Sequence, residues 1–195
     1  MTGTSSGVGK CLFDILDKDH EVFSVLREDV DLDHPEQIWQ IIPHVDVLIN
    51  CAGHDIGGKV LFTEHNFSYC QKIMNTNLLS AMRLTQLVLE KNKTAMIINV
   101  TSTNNEKFYP GDLVYSLSKK SLAIFGEMIQ EEFPECLVKE VVLGLTKTNF
   151  NNNRHKVNHR PIDNLYEMPH LTPEYVAEKI YEFMLTEERT LRIAP

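Results

Sequence analysis

Apolar residues along this chain change period repeatedly, from short strand-like runs to longer stripes at helical spacing. That alternation is what a sheet of parallel strands with covering helices produces. Residues 22–26, 45–49, 95–100 and 137–143 are the strand runs, with a last short one at 190–194. Between them, Val8, Leu12, Ile15 and Leu16 form one helical stripe, Leu78, Ala81, Met82, Thr85 and Leu89 a second, and Leu122, Phe125, Ile129 and Phe133 a third. A fourth helix opens at Thr172, a natural N-cap followed by Pro173 at the first helical position, and buries Val176, Ile180, Phe183 and Met184. The pattern predicts an α/β fold with a doubly wound parallel sheet, and the 195 residues suit a single domain, 1–195, with one core.

Charge narrows the function classes. With 27 Asp and Glu against 19 Lys and Arg, a net −8, the chain is not built to neutralise nucleic-acid phosphates or an anionic membrane surface. No window approaches a membrane span, and the opening residues lack the basic and apolar regions of a signal peptide, so the cytoplasm is the expected location. Cys11, Cys51, Cys70 and Cys136 are widely spaced with no Cys-x-x-Cys pair; they read as reduced, mostly buried thiols.

Residues 149–170 carry six asparagines, two prolines and little periodicity, and read as a long loop that could cover a site. His155 and His159 within it are spaced i, i+4, but without a third ligand they read as solvated, and no metal site is expected. His54 and Asp55 fit a substrate mouth or a surface loop equally well.

Gly3-Thr4-Ser5-Ser6-Gly7-Val8-Gly9 leads straight into the first helix. Its three glycines permit a tight turn, close backbone approach to a pyrophosphate and packing of helix on sheet, with unpaired N–H groups offered to the anion. Such a turn should follow a strand, and here only Met1 and Thr2 precede Gly3. The first strand is central in a dinucleotide-binding sheet, so its omission would leave neighbours roughly 9.6 Å apart. The expectation is that a strand of about five or six residues is missing ahead of Thr2, through a misplaced start or a truncation.

Tyr115 and Lys119 are spaced i, i+4, which puts phenol and ammonium on one helix face. A nearby cation favours phenolate, so the lysine is expected to lower the tyrosine pKa from about 10 and make a usable general acid and base. Ser102 follows the strand run 95–100, at the carboxyl end where open α/β sheets bind ligands.

Together these residues resemble the short-chain dehydrogenase/reductase family, and the similarity runs over nearly the whole chain. Thr2 to Gly9 has the Thr-Gly-x-x-x-Gly-x-Gly spacing of the family's main subgroup. Asn50-Cys51-Ala52-Gly53 matches its Asn-Asn-Ala-Gly motif, with Cys51 in place of the second Asn. Asn77 falls at the family's helix asparagine, and Ser102 precedes Tyr115 by the usual thirteen positions. Leu143-Gly144 stands where the family has Pro-Gly, and Thr148 where it has a threonine facing the nicotinamide amide.

The resemblance implies hydride transfer between a nicotinamide C4 and the carbon of a small-molecule carbonyl or alcohol. Tyr115 would be the general acid, Ser102 would polarise the carbonyl, Lys119 would bind the nicotinamide ribose, and Asn77 would support proton resupply. Cofactor contacts would come from Gly3, Thr4, Ser5, Ser6, Gly7, Val8, Gly9, Asn50, Ala52, Gly53, Gly144 and Thr148, with Asp31 and Leu32 beside the adenine. Leu26 occupies the position where relatives that prefer NAD carry a carboxylate, and Arg27 that of a phosphate-binding base, so NADP is expected over NAD. Asp31 follows Arg27 by only four positions, so no helix is expected there. The family also implies a homodimer or homotetramer. Two other readings stay open: a nicotinamide-binding sensor or decayed relative without turnover, and a sugar-nucleotide epimerase or dehydratase, against which the glycine spacing speaks.

Overall fold

A computed structural model describes residues 1–38, 43–156 and 167–195. Four strands, β1 (Val47–Asn50), β2 (Met96–Val100), β3 (Leu137–Leu143) and β4 (Thr190–Ile193), lie side by side in that order, all parallel. The single-domain α/β architecture with a parallel sheet is therefore as the alternating periods predict.

Strand alternation divides the core into two layers. Ile49, Ile98, Val100 and Val141 point to one face, where α1 (Gly7–Leu16) and α6 (Pro173–Met184) cover them with Leu12, Leu16, Val176 and Ile180. Leu48, Ile97 and Val138 point to the other, under Leu84, Leu87 and Val88 of α3 (Ser80–Lys91). α4 (Leu113–Glu132) covers the same side through Leu122, which packs with Leu78 and Ala81. Each fully buried Leu or Ile contributes roughly 1.5–3 kcal/mol of transfer free energy. Strands covered on both faces must be apolar nearly throughout, which is why they read as continuous runs.

Lys139 breaks that rule in the middle of β3, with no side-chain exposure at all. Its ammonium donates to the carbonyls of Phe183 (2.9 Å) and Thr186 (2.6 Å) and lies 4.5 Å from the centre of the Phe183 ring. It thus satisfies carbonyls at the C-terminal end of α6, where a cation also meets the negative end of the helix dipole.

Three expectations are corrected. The run 22–26 forms a single parallel bridge, Val25 with Thr2, and no extended strand. The slot expected to be empty ahead of Gly3 is filled at its carboxyl end by Met1 and Thr2. Thr2 N–H donates to the Ile49 carbonyl on one side (3.0 Å), and Val25 N–H donates to the Met1 carbonyl on the other (2.9 Å). Third, the loop expected at 149–170 begins with a helix, α5 (Asn149–Lys156). His159, and with it the His155–His159 pair, lies outside the described residues.

α2 (Phe67–Met74) opens on the Asn66 side chain, which accepts the Ser68 N–H, and continues through a π-helical turn, Asn75–Leu79, into α3. No helix lies between Arg27 and Asp31, as the spacing requires. Among the described residues no helix is long and apolar enough to cross a membrane. The four cysteines are free, Cys70 and Cys136 buried, Cys11 and Cys51 partly so.

Candidate active site

The turn into α1 leaves no space for side chains. Gly3 has φ +78° and Gly7 φ +56°, the left-handed region that glycine adopts without strain, and a Cβ on Gly9 would stand 2.1 Å from the Gly3 carbonyl oxygen. Ser6, the N-cap, makes no side-chain cap, so the first N–H groups of the helix have no intrahelical partner and none from Ser6. The Thr4 hydroxyl is buried without a hydrogen-bond partner among the described residues. Thr148 packs against Gly7, 3.2 Å from where its Cβ would lie. A backbone cradle, free helix N–H groups and an orphaned hydroxyl fit the pyrophosphate of a dinucleotide.

Thr2 ties this turn to the next motif. Its hydroxyl accepts the N–H groups of Cys51 (3.1 Å) and Ala52 (3.0 Å), while Gly3 lies against the Ala52 backbone. Asn50 turns inward instead, donating to the Asn99 side chain at 2.9 Å, so its amide is committed to the sheet. Gly144 abuts Ala194 at the end of β4.

The four residues expected to do chemistry are linked. Ser102 leaves β2 in extended conformation and caps a 3-10 turn by accepting the Asn104 N–H at 3.2 Å. Its hydroxyl lies close enough to the Tyr115 phenol to draw the phenol's pKa down. Asn77 sits in the π-helical turn, where the widened backbone lets its amide close a two-pronged bond with His54, accepting from the N–H and donating to the carbonyl, both at 2.9 Å. It also donates to Ser118, whose hydroxyl bonds the Tyr115 carbonyl. Lys119 Nζ and Asn77 Oδ1 approach the same face of Gly53, 3.1 and 3.2 Å from where its Cβ would be.

The expected effect of Lys119 on Tyr115 is not what the structure shows. The ammonium donates to the Val100 carbonyl at 2.9 Å. Burial pushes it down to about 8, opposed by Cys51. Burial pushes the phenol up to about 12; Ser102 and Arg154 pull it down, and Asp55 and Asp112 push it up. Desolvation of the phenolate outweighs the favourable contacts.

His54 and Asp55 are not surface loop residues. His54 Nε2 lies 3.1 Å from Asp33, which also accepts the Thr76 hydroxyl at 2.6 Å. Asp55 is buried and its carboxylate lies 2.6 Å from Nε of Arg154, a residue of α5 that also bonds Asp112. Neither Arg154 nor Asp112 is singled out by the sequence, because an arginine in an asparagine-rich stretch carries no periodic or spacing signal. Arg27 is largely exposed and lies 3.7 Å from Asp31 and 4.0 Å from Asp33. Asp31 turns its own carboxylate to the Asp33 N–H, and the Leu32 carbonyl accepts from Ser80.

A family model for short chain dehydrogenases matches residues 33–158, and the chain belongs to the short-chain dehydrogenase/reductase family, a class of oxidoreductases that use a nicotinamide cofactor. A ketoacyl reductase, HetN, of a Nostoc strain is 36% identical over 100 residues, 50% of this chain and 34% of that protein. A 3-ketodihydrosphingosine reductase of Bacteroides thetaiotaomicron is 29% identical over 179 residues, 79% of this chain and 65% of that protein. The chain thus spans between about a third and two thirds of the length of these relatives. Among solved structures, a closed serine dehydrogenase complexed with NADP+ superposes with TM-score 0.87 at 22% identity, covering 98% of this chain and 92% of that one. A 4-hydroxyisoleucine dehydrogenase complexed with NADH gives 0.80 at 20% identity, covering 100% and 95%.

Proposed function

We propose that this chain is an NADP-dependent oxidoreductase that interconverts a carbonyl and a secondary alcohol. The observation that supports this reading is the convergence of Lys119 and Asn77 at Gly53, with the Tyr115 phenol under the influence of Ser102 at the carboxyl end of β2. A dinucleotide whose pyrophosphate the glycine turn would hold would supply the hydride.

In the reductive direction Tyr115 gives its proton to the substrate oxygen. A phenol held near 12 keeps that proton until negative charge develops on the oxygen, whose basicity then exceeds its own. The Ser102 hydroxyl hydrogen-bonds the same oxygen and stabilises that charge. Lys119 Nζ would hold the nicotinamide ribose, and the Asn77 amide, fixed to His54 on both sides, would keep the path for proton resupply in place. Thr148, packed on Gly7, would face the nicotinamide amide.

Arg27 supports NADP. It is exposed, its carboxylate neighbours are at long range, and Leu26 offers an NAD ribose no acceptor. The relatives that are reductases of ketoacyl and 3-keto compounds by name support a ketone substrate. Exposed Leu117, Ile124 and Met128 on α4 support a homodimer or homotetramer, and the acidic chain suits the cytoplasm.

The test is a titration with NADPH and with NADH, followed by nicotinamide fluorescence, with circular dichroism to establish folding, and then NADPH oxidation with acetoacetyl-CoA and a panel of simpler ketones. Tighter NADPH binding and turnover of a ketone are expected. Binding without turnover of any carbonyl would replace this reading by the non-catalytic sensor, and cofactor that copurifies tightly bound would favour the epimerase.

A further inference from the structure

Arg154 joins three segments that are far apart in sequence. Its Nε lies 2.6 Å from Asp55, three residues beyond Ala52, and its Nη2 bonds Asp112, at the N-cap of α4. Both carboxylates are buried, and the arginine side chain is only 14% exposed. Asp112 takes a further bond from the Asn104 amide at 3.2 Å. The Nε–Asp55 approach is a charge contact and not an aligned hydrogen bond.

On α5, Phe150 and Arg154 are one helical turn apart and share a face. Phe150 lays its ring against that of Tyr115, centroids 5.6 Å apart and planes inclined by 57°. The helix has almost no apolar periodicity of its own, and Phe150 and Arg154, with the buried Asn151, are side chains it turns toward the domain. Two buried carboxylates that share a site repel each other unless a cation stands between them. The planar guanidinium can meet both at once, which a lysine ammonium on its flexible stem does less well.

We infer that Arg154 is a positioning residue: by bridging Asp55 and Asp112 it pins α5 over the active site and sets Phe150 against Tyr115 as a wall of the substrate pocket. The inference rests on Tyr115 being the proton donor, as proposed above, and makes the Arg154 bridge a determinant of which substrates reach it. Arg154 touches neither cofactor nor reacting atoms in this role; it acts through Phe150 and through the charge balance beside the phenol.

Two readouts that need no substrate test this. Hydrogen–deuterium exchange follows the amides of α5 in the full chain, and carbon-13 NMR of labelled tyrosine follows the Tyr115 ring, assigned through Tyr115→Phe. Arg154→Met should speed exchange across α5 at least tenfold and move the Tyr115 signal, because the ring of Phe150 leaves it and two carboxylates stand uncompensated nearby. Arg154→Lys, which keeps one charge, should recover part of both changes and also serves if the Met variant does not fold. Adding Asp55→Asn to Arg154→Met should speed exchange no further. Wild-type exchange and an unmoved Tyr115 signal in a folded Arg154→Met variant would overturn the inference, as would fully additive effects in the double variant. NADPH fluorescence on the same samples keeps the outcomes separate: loss of binding in the wild type would count against the proposed function, not against the bridge.

Discussion

The ammonium of Lys119 donates to the carbonyl of Val100 at 2.9 Å and is bound to the end of β2, while Tyr115, one helical turn before it on α4, feels the Ser102 hydroxyl. The two side chains share a helix face and serve different partners. Burial raises the Tyr115 phenol to about 12, so the side chain holds its proton at neutral pH.

Replacing that phenol isolates its role. Tyr115→Phe should lower turnover of any accepted ketone by about 10²–10⁴-fold, the range for loss of a general acid. NADPH affinity should stay within a few-fold, since the ring still packs on Phe150. Steady-state kinetics paired with fluorescence titration check this, and a Phe variant as active as wild type would remove Tyr115 from the chemistry.

Arg27→Ala separates the two nicotinamide cofactors. A charge-assisted contact to a 2′-phosphate contributes about 1.5–3 kcal/mol, so NADPH should bind roughly 10- to 150-fold more weakly. NADH should be nearly unaffected. Equal losses for both in the fluorescence titration would contradict the assignment of Arg27.

Acidity of Asp55 gives a stability profile with a definite sign. Burial raises its carboxyl from 3.8 to about 6, more than Arg154 lowers it. The folded chain then binds more protons than the unfolded chain between about pH 4 and 6, so this group makes stability fall as pH rises through that window. The ion pair with Arg154 offsets part of the desolvation and not all of it. Urea melts from pH 4 to 7 should show the downward slope in the wild type and a shallower one in Asp55→Asn; identical slopes would show that Asp55 titrates normally.

Gly9→Ala should be disabling. Its methyl would sit 2.1 Å from the Gly3 carbonyl oxygen, which no rotamer can relieve because both groups are backbone-fixed. Either the turn opens and dinucleotide affinity falls by more than tenfold, or the chain fails to fold. Circular dichroism with an NADPH titration distinguishes the two, and a folded variant of normal affinity would mean that α1 does not pack as described.

What could be read from the sequence followed burial. The strand runs at 45–49, 95–100 and 137–143 are legible because both faces of the sheet are covered, and α1 and α6 because each lays one apolar stripe on it. Tyr115 and Lys119 are legible by spacing and Ser102 by its place at a strand end, whereas Asn77 is legible only through the family resemblance. α5 was hidden because no apolar stripe positions it; a guanidinium and a phenyl ring pack it instead. The role of Met1 and Thr2 was hidden because two residues show no period. The acidity of Tyr115 is set first by its burial, which the spacing of Tyr115 and Lys119 does not reveal.

The buried ammonium of Lys139 has a consequence for how this domain can vary. It measures the distance from the middle of β3 to the carbonyls of Phe183 and Thr186. The connection from α6 to β4 is therefore gauged from inside the molecule, and a residue inserted or deleted there would carry those carbonyls off their donor and strand a charge in the interior. Chains of this design should tolerate changes of length elsewhere on their surface sooner than at this turn.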